Sequence, residues 1–193
     1  MKKKSNIILI VIGILLLVFA GSLKIVEDKW NLTLYLFHMD SQGIMSIAFM
    51  VSVVCLAVFL SIFLWRMKGK GQIHALLYWF VQVSGGFIVL AVLFVCLWVG
   101  FITEPRYYVY HSPNQQDTIV IKEEAFLLAG YGSIYVKENA FFMKRAEGYS
   151  SDDGYRPFQN DDYQLEWGED EVTVTYGFGS MGEQKEIVIP LER

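Results

Sequence analysis

The chain has 193 residues, of which 54% are hydrophobic and 19% are charged, and its mean hydropathy is +0.37. Soluble domains carry about 25% charged residues, so this composition excludes a chain built only of such domains. Residues 103–193 contain 17 acidic and 8 basic side chains, whereas residues 1–102 contain 3 acidic and 8 basic ones. Because phosphate binding needs a basic face, the acidic C-terminal part argues against nucleic acid as a partner.

The first predicted element is an apolar segment at about residues 6–23, which follows three lysines at residues 2–4. A basic start, an apolar core and small residues near its end are also typical of a cleaved secretory signal peptide. Two further apolar segments and the continuation of the apolar run to Leu23 favour an uncleaved transmembrane helix. Both alternatives place the chain from Lys24 onward outside the cytoplasm.

The next segment, Lys24 to Gln42, is semi-polar and is expected to lie in the membrane–water interface, where tryptophan and tyrosine rings are enriched. Its apolar side chains are Trp30, Leu32, Leu34, Leu36 and Phe37.

Two more transmembrane helices are predicted at about residues 43–65 and 75–102, which completes a membrane domain at residues 1–102. A helix over residues 75–102 would be roughly 42 Å long, against a hydrocarbon core of about 30 Å. The loop between these helices carries Arg66, Lys68 and Lys70. Short basic loops remain in the cytoplasm, so the N-terminus is predicted to be cytoplasmic and residues 103–193 extracytoplasmic. Lipid is therefore the first expected partner.

Within the predicted helices, Gln82 is the largest polar side chain, and it lies at about the same depth as Ser61. An amide in lipid needs a hydrogen-bond partner, so we expect Gln82 to meet Ser61 or another polar group. Gly85 and Gly86 are expected to let helices approach closely, as are Ala48 and Ser52. The helices contain no ionisable residue at mid-membrane depth, which disfavours a channel or pump.

Residues 103–193 are predicted to form an extracytoplasmic β-domain, because apolar and polar residues alternate after Pro105. About seven short strands indicate a small all-β antiparallel sandwich or open barrel. Pro190 marks the last strand as an edge strand, since proline donates no ladder hydrogen bond. The predicted core is Ile119, Ile121, Ile134, Val136, Phe142, Leu165, Trp167, Val172, Val174, Tyr176, Ile187 and Ile189.

Residues 146–162 lack periodicity and are predicted to be a long loop, a kind of segment that is usually functional or disordered. The loop offers two overlapping sites besides the alternative of a solvated acidic surface. The first is a calcium site, because calcium accepts carboxylate ligands, although the spacing here matches no EF-hand. Its candidate ligands are Asp152, Asp153, Asp161 and Asp162. An aromatic and arginine patch of the kind enriched at interfaces is formed by Tyr149, Tyr155, Arg156 and Phe158.

The sequence contains no nucleophile motif, phosphate-binding glycine loop or metal-spaced His/Cys cluster. We therefore expect a non-enzymatic protein without a cofactor. Both cysteines, Cys55 and Cys96, lie in apolar segments, so a disulfide in the β-domain is excluded.

The segments SPNQQDTIVIKEEAFLLAGYGSIYVKE, DDGYRPFQNDDYQLEW and VTVTYGFG, within residues 107–180, resemble those of uncharacterised small membrane proteins of Gram-positive bacteria. The resemblance implies a bacterial plasma membrane and transfers no functional residues. The leading hypothesis is an integral membrane protein whose β-domain binds a membrane protein, a peptide or a cell-wall component. The alternative is an accessory or immunity-type subunit that acts through its membrane helices.

Overall fold

The computed structural model describes residues 2–126, 128–179 and 182–191, and at residues 2–6 and 99–103 the backbone alone. Three helices, α1 (Lys2–Trp30), α2 (Ser41–Gly69) and α3 (Ala75–Thr103), are each 29 residues long. All three are long and apolar enough to cross a membrane. The predicted fold class is confirmed: three such helices are followed by an antiparallel β-domain.

The helix boundaries differ from the predicted ones most at α1, which continues beyond Leu23 as far as Trp30. The prediction ended this helix where the apolar run ends, but the helical hydrogen-bond pattern does not depend on hydropathy. Asn31 then stops the helix by adopting a positive φ of 54° while its N–H still donates to the Glu27 carbonyl. Asparagine is one of the few residues besides glycine that adopts this conformation at a helix end.

Small residues bring α1 and α2 together, as the sequence predicted for Ala48 and Ser52. Ser52 is fully buried, and its hydroxyl donates to the Gly13 carbonyl at 2.8 Å. A Cβ at Gly13 would lie 3.0 Å from Leu56, so glycine permits this close approach. The sequence reasoning did not single out Gly13.

The β-domain contains a five-stranded sheet in the order β1-β5-β4-β3-β2 and a three-stranded sheet in the order β6-β7-β8, and all pairs are antiparallel. The strands are β1 (Leu32–Leu34), β2 (Arg106–His111), β3 (Thr118–Phe126), β4 (Ala129–Lys137), β5 (Phe142–Ser151), β6 (Tyr163–Trp167), β7 (Glu171–Gly177) and β8 (Gln184–Pro190). As predicted from Pro190, β8 is an edge strand.

The two sheets enclose one apolar core, to which strands of both contribute, so the domain is a sandwich. Seven of the predicted core residues are buried there: Ile119, Ile121, Ile134, Val172, Val174, Tyr176 and Ile189. Four more, Val136, Leu165, Trp167 and Ile187, pack against them while partly exposed. Phe142 is outside this cluster, and its neighbour Met143 is buried on the other face of the five-stranded sheet.

A β-bulge in β5 explains why alternation predicted only the first part of this strand, up to Arg145, and placed the rest in a loop. Tyr135 pairs with Arg145 but Ile134 pairs with Glu147, so Ala146 has no partner in the register. One extra residue reverses the faces to which the later side chains point. Met143 therefore faces one side of the sheet and Tyr149 the other, and β5 continues to Ser151 inside the predicted loop.

The segment between α1 and α2 belongs to the β-domain. Leu32, Thr33 and Leu34 pair with Lys144, Met143 and Phe142 of β5, and Thr33 and Leu34 are buried. The compact unit comprises Val26–Asp40 with Val99–Arg193, so the β-domain predicted at 103–193 gains a strand from within the predicted membrane domain. The other unit comprises Met1–Ile25 with Ser41–Trp98.

Gly132→Ala is expected to destabilise the β-domain by about 2–3 kcal/mol through overpacking. A Cβ there would lie 2.2 Å from the Tyr149 ring and 2.3 Å from the Lys122 carbonyl oxygen, and neither backbone nor ring has room to move. The control is Gly179→Ala, whose Cβ would make an ordinary contact at 3.4 Å with Asp152. Chemical unfolding of the full chain in detergent, followed by circular dichroism, measures both; equal midpoints would contradict the packing described.

Candidate functional site

A buried ion-pair cluster lies on the face of the five-stranded sheet that is turned away from the sandwich core. Lys122 on β3 is 5% exposed, and its ammonium lies 2.8 Å from the Asp40 carboxylate and 3.1 Å from that of Glu124. Asp40 comes from the segment between α1 and α2 and is 2% exposed. The Tyr107 hydroxyl accepts a hydrogen bond of 3.4 Å from the Asp40 N–H.

The buried ammonium of this cluster has its counter-charges within the protein, the carboxylates of Asp40 and Glu124. Burial alone would lower the pKa of Lys122, but the Asp40 and Glu124 carboxylates outweigh it, so the pKa is raised and the ammonium stays protonated. Burial and the nearby Asp40 charge raise the pKa of Tyr107, which keeps that hydroxyl neutral. A permanently protonated lysine is no general base, so the cluster acts as an anchor that holds residues 35–40 on the sheet.

Glu123, the neighbour of Lys122, points into the sandwich core and is 1% exposed. Its carboxylate accepts hydrogen bonds from the Phe158 and Gln159 N–H groups at 2.9 and 3.1 Å and from the Tyr108 hydroxyl at 3.3 Å. Burial raises the pKa of Glu123, although these donors oppose the shift. This carboxylate fixes the turn at residues 156–159, which the sequence reasoning assigned to an open loop.

Two members of the predicted aromatic and arginine patch, Tyr149 and Phe158, are buried, so the four residues do not form one continuous surface. Tyr149 and Phe158 are 6% and 1% exposed, and their rings pack edge to face within the core with centroids 5.4 Å apart. The Tyr155 hydroxyl donates to Asp162 at 2.9 Å, and Arg156 lies 3.7 Å from Glu104. These residues close one side of the sandwich, because the bulge in β5 and the Glu123 carboxylate pull the segment inward.

The four aspartates of the same segment do not gather into a metal site. Asp162 accepts from Tyr155, and the Asp152 side chain accepts the N–H of Asp153 at 3.0 Å. Within the described residues, no three His, Cys, Asp or Glu side chains form a group able to hold a metal ion. The calcium hypothesis therefore has no geometric support in this segment.

A tight turn at residues 36–39 displays Phe37, the most exposed large apolar side chain among the described residues of the β-domain. Leu36 and Met39 exchange two backbone hydrogen bonds of 2.9 Å, which leaves Phe37 and His38 as the central residues of a two-residue hairpin. Their φ angles are 52° and 60°, typical of a type I′ turn that normally carries asparagine and glycine. Phe37 is 89% exposed, whereas the His38 ring packs against Tyr35 at 6.3 Å.

The turn is held at both ends. On one side, the Tyr35 N–H donates to the Phe141 carbonyl at 2.8 Å, and the Tyr35 ring packs on Tyr107 at 5.5 Å. On the other side, Asp40 pairs with Lys122. Phe37 is therefore displayed on a rigid support, and the 55% exposed Phe141, the residue before β5, lies next to Tyr35 at the base of the same turn.

A cleft of about 350 Å³ lies between α2 and α3 and is lined by Ser61, Ile62, Trp65, Tyr78, Trp79 and Gln82. The Ser61 hydroxyl donates to the Gln82 amide oxygen at 2.9 Å, which is the contact expected for Gln82. Lys68 lies 4.6 Å from the Tyr78 ring centroid. Gly85 and Gly86 have no described neighbour within 4 Å of a Cβ position, so the structure does not use them for packing.

The contacts within the β-domain also constrain the membrane topology. The α1–α2 segment and the C-terminal strands share a sheet and a buried ion pair, so both lie on one side of any membrane that the helices cross. The charge pattern predicted the same arrangement by an independent route.

Comparison of the chain with family models, with curated proteins and with solved structures gave no match. The geometry alone therefore identifies the candidate site. Sequence reasoning missed Asp40 and Lys122, although a lysine that directly follows three β-branched apolar residues, Ile119 to Ile121, was a signal of a charge next to the core. It also missed strand β1, although Leu32, Leu34 and Leu36 alternate with the period of a strand.

Asp40→Asn is expected to destabilise the β-domain by about 3 kcal/mol, because it removes the nearest counter-charge of a buried lysine. Replacing the pair with apolar residues, Asp40→Leu with Lys122→Met, should recover most of this loss. Glu104→Gln is the matched control, since Glu104 is 54% exposed in its ion pairs and should change stability by about 0.5 kcal/mol or less. Urea unfolding of the full chain in detergent measures all three, and equal losses for Asp40→Asn and Glu104→Gln would refute the anchor.

Proposed function

We propose that this protein is an integral membrane protein whose β-domain binds a protein or peptide partner through the turn at residues 36–39. The observation that carries the proposal is Phe37: a large aromatic side chain, 89% exposed, on a turn whose ends are fixed by buried contacts. Aromatic anchors on rigid supports contribute most of the energy of protein interfaces, because little conformational entropy is lost on binding.

Two further features support a binding role. Phe37 and His38 adopt φ angles that cost a non-glycine residue on the order of 1–3 kcal/mol each, and such strain clusters at functional sites. Phe141 is a second exposed aromatic side chain beside the turn, which enlarges the apolar surface available to a partner. A cell-wall component is the less favoured ligand, because an apolar ring on a convex turn offers few hydrogen-bonding groups for a sugar.

We infer that the membrane is a bacterial plasma membrane and that the β-domain faces outward. The basis is the charge of the connections: Arg66 and Lys68 lie in the last turn of α2, and three lysines precede the first apolar segment. Short basic segments remain on the cytoplasmic side, so the opposite side receives the β-domain.

Labelling of intact cells with a membrane-impermeant maleimide tests this orientation in a Cys55→Ala, Cys96→Ala background. Gln116→Cys, in the exposed turn between β2 and β3, should react in intact cells, because the turn is extracytoplasmic in this orientation. Lys70→Cys should react only after permeabilisation. The reverse pattern would show that the β-domain is cytoplasmic.

Site-specific photocrosslinking tests the binding surface. A benzoylphenylalanine at position 37 is expected to give a discrete protein adduct in native membranes, whereas the same group at Gln116 should give none, because only Phe37 lies at the proposed interface. Phe37→Asn should abolish formation of the complex with that protein. It should not lower the unfolding midpoint, since asparagine tolerates a positive φ.

Two results would contradict this proposal. If Phe37→Asn lowered the midpoint to the extent of Asp40→Asn, the ring would be structural rather than a contact for a partner. If crosslinks arose from position 85 but not from position 37, the accessory-subunit alternative would be favoured. A specific observation supports that alternative. The rest of the chain does not bury the most apolar stretch of α3, and no described atom lies within 4 Å of a Cβ position at Gly85 or Gly86.

A further inference from the structure

The cleft between α2 and α3 has a positive charge at its edge. Lys68, in the last turn of α2, places its ammonium 4.6 Å from the Tyr78 ring centroid and 5.1 Å from that of Trp79. Both rings line the cleft, so the ammonium lies beside its opening. The faces of the two rings attract a cation but carry no net charge, so the positive charge of Lys68 is not neutralised by them.

The helical unit contains no counter-charge for this lysine. Both helices of the cleft belong to the unit of Met1–Ile25 and Ser41–Trp98, which has seven Lys and Arg side chains and no Asp or Glu in its sequence. The buried Lys122 of the β-domain differs, because two carboxylates lie within 3.1 Å of its ammonium. A ligand with an anionic group therefore complements the charge of the helical unit and meets no carboxylate of that unit in the cleft.

The chemistry of the cleft changes along its length. Next to the charged edge, the rings of Trp65 and Tyr78 pack at 6.3 Å, and such rings are enriched at the headgroup level of a membrane. Ser61 lies one turn, about 6 Å, further toward the middle of α2, and its hydroxyl donates to the Gln82 amide oxygen. The Gln82 amide nitrogen has two N–H groups, of which one donates to the Ser61 carbonyl at 3.4 Å. A cation, aromatic rings and an amide donor follow one another in the order of the phosphate, glycerol and ester groups of a phospholipid.

The volume of the cleft fits a chain-like ligand rather than a helix of another protein. The cleft holds about 350 Å³, which lies in the range of small-molecule pockets. A helix about 10 Å across would fill this volume with less than one turn of about 5.4 Å. A glycerol backbone with part of an acyl chain is thin enough to lie along it.

We propose that this cleft binds one anionic phospholipid from the leaflet at the α2–α3 connection. The phosphate lies at Lys68, an ester carbonyl accepts from the Gln82 amide, and an acyl chain lies along Ile62. Basic pockets between transmembrane helices bind anionic headgroups in this way. The bound lipid contacts both helices and stabilises their packing. The site is independent of the partner proposed for Phe37, and it is the same for either orientation of the chain in the membrane.

Native mass spectrometry of the full chain, released from detergent, tests the charge at the site. The chain is titrated with phosphatidylglycerol or phosphatidylcholine that carry the same acyl chains. The first phosphatidylglycerol should bind about fivefold more tightly, the effect of one lysine beside an anionic headgroup. Lys68→Gln should remove this preference and leave the binding of phosphatidylcholine unchanged. Lys70→Gln is the matched control, because it removes a charge beyond the end of α2 rather than at the rings, and it should keep the preference.

A second pair of variants tests the cleft without changing any charge. Ile62→Phe narrows the cleft and should weaken the first binding of both lipids several-fold. Leu60→Phe is its control, because Leu60 is 48% exposed and lies two residues away, about 200° around the helix. Glycerol 1-phosphate at millimolar concentration should not displace the lipid, because it lacks the acyl chains.

Each contrary outcome overturns the lipid site. Equal affinity of the unaltered chain for the two lipids, or equal loss of preference in Lys68→Gln and Lys70→Gln, would show that no headgroup is bound at Lys68. Unchanged binding by Ile62→Phe would place the lipid outside the cleft. Full displacement by glycerol 1-phosphate would identify a site for a free phosphate compound instead. Circular dichroism of each variant verifies that the helices are folded.

Discussion

The contact between Lys122 and Asp40 is the constraint on which the arrangement of the β-domain depends. It joins the short segment between the first two helices to β3, with the ammonium and carboxylate 2.8 Å apart and nearly out of contact with water. A buried pair of this kind adds little net stability compared with an apolar pair, but removing one partner is costly. Its consequence is specificity: only one register of residues 32–40 on the sheet brings Asp40 to Lys122.

The same strand organises both faces of the sheet. Along β3, Ile119, Ile121 and Glu123 point into the sandwich, whereas Val120 and Lys122 point to the outer face, where Tyr35 and Tyr107 cover them. A strand of an antiparallel sheet usually keeps one face in water. Here the segment between α1 and α2 takes the place of that water. The strand β3 therefore carries two consecutive buried charges, and each has a partner from a distant part of the chain: Asp40 for Lys122 and the Phe158 N–H for Glu123.

Local patterns were sufficient to predict the elements that depend on hydropathy or on period two. The three helices, the sandwich class, the edge position of β8 and the contact between Gln82 and Ser61 follow from nearby residues. The bulge at Ala146 could not be predicted, because it is defined by pairing with β4 rather than by its own side chain. Strand β1 has three residues and pairs across more than a hundred positions, as the Asn31–Arg145 hydrogen bond shows. The burial of Tyr149 and Phe158 could not be predicted for the same reason. Both residues lie in a polar loop sequence, and only the bulge and the Glu123 carboxylate turn them inward.

The turn at Phe37 shows how the anchor and the surface are connected energetically. Two consecutive residues other than glycine, asparagine or aspartate in the left-handed region favour opening of the turn. The Lys122–Asp40 pair and the Tyr35–Phe141 hydrogen bond oppose that opening, because they fix both ends of the segment only a few residues apart. A glycine or asparagine at position 37 would relieve the strain without disturbing either contact. The phenylalanine is thus unfavourable for the turn and contributes almost nothing to the core, and this combination is the reason for proposing its exposed ring as the contact with a partner.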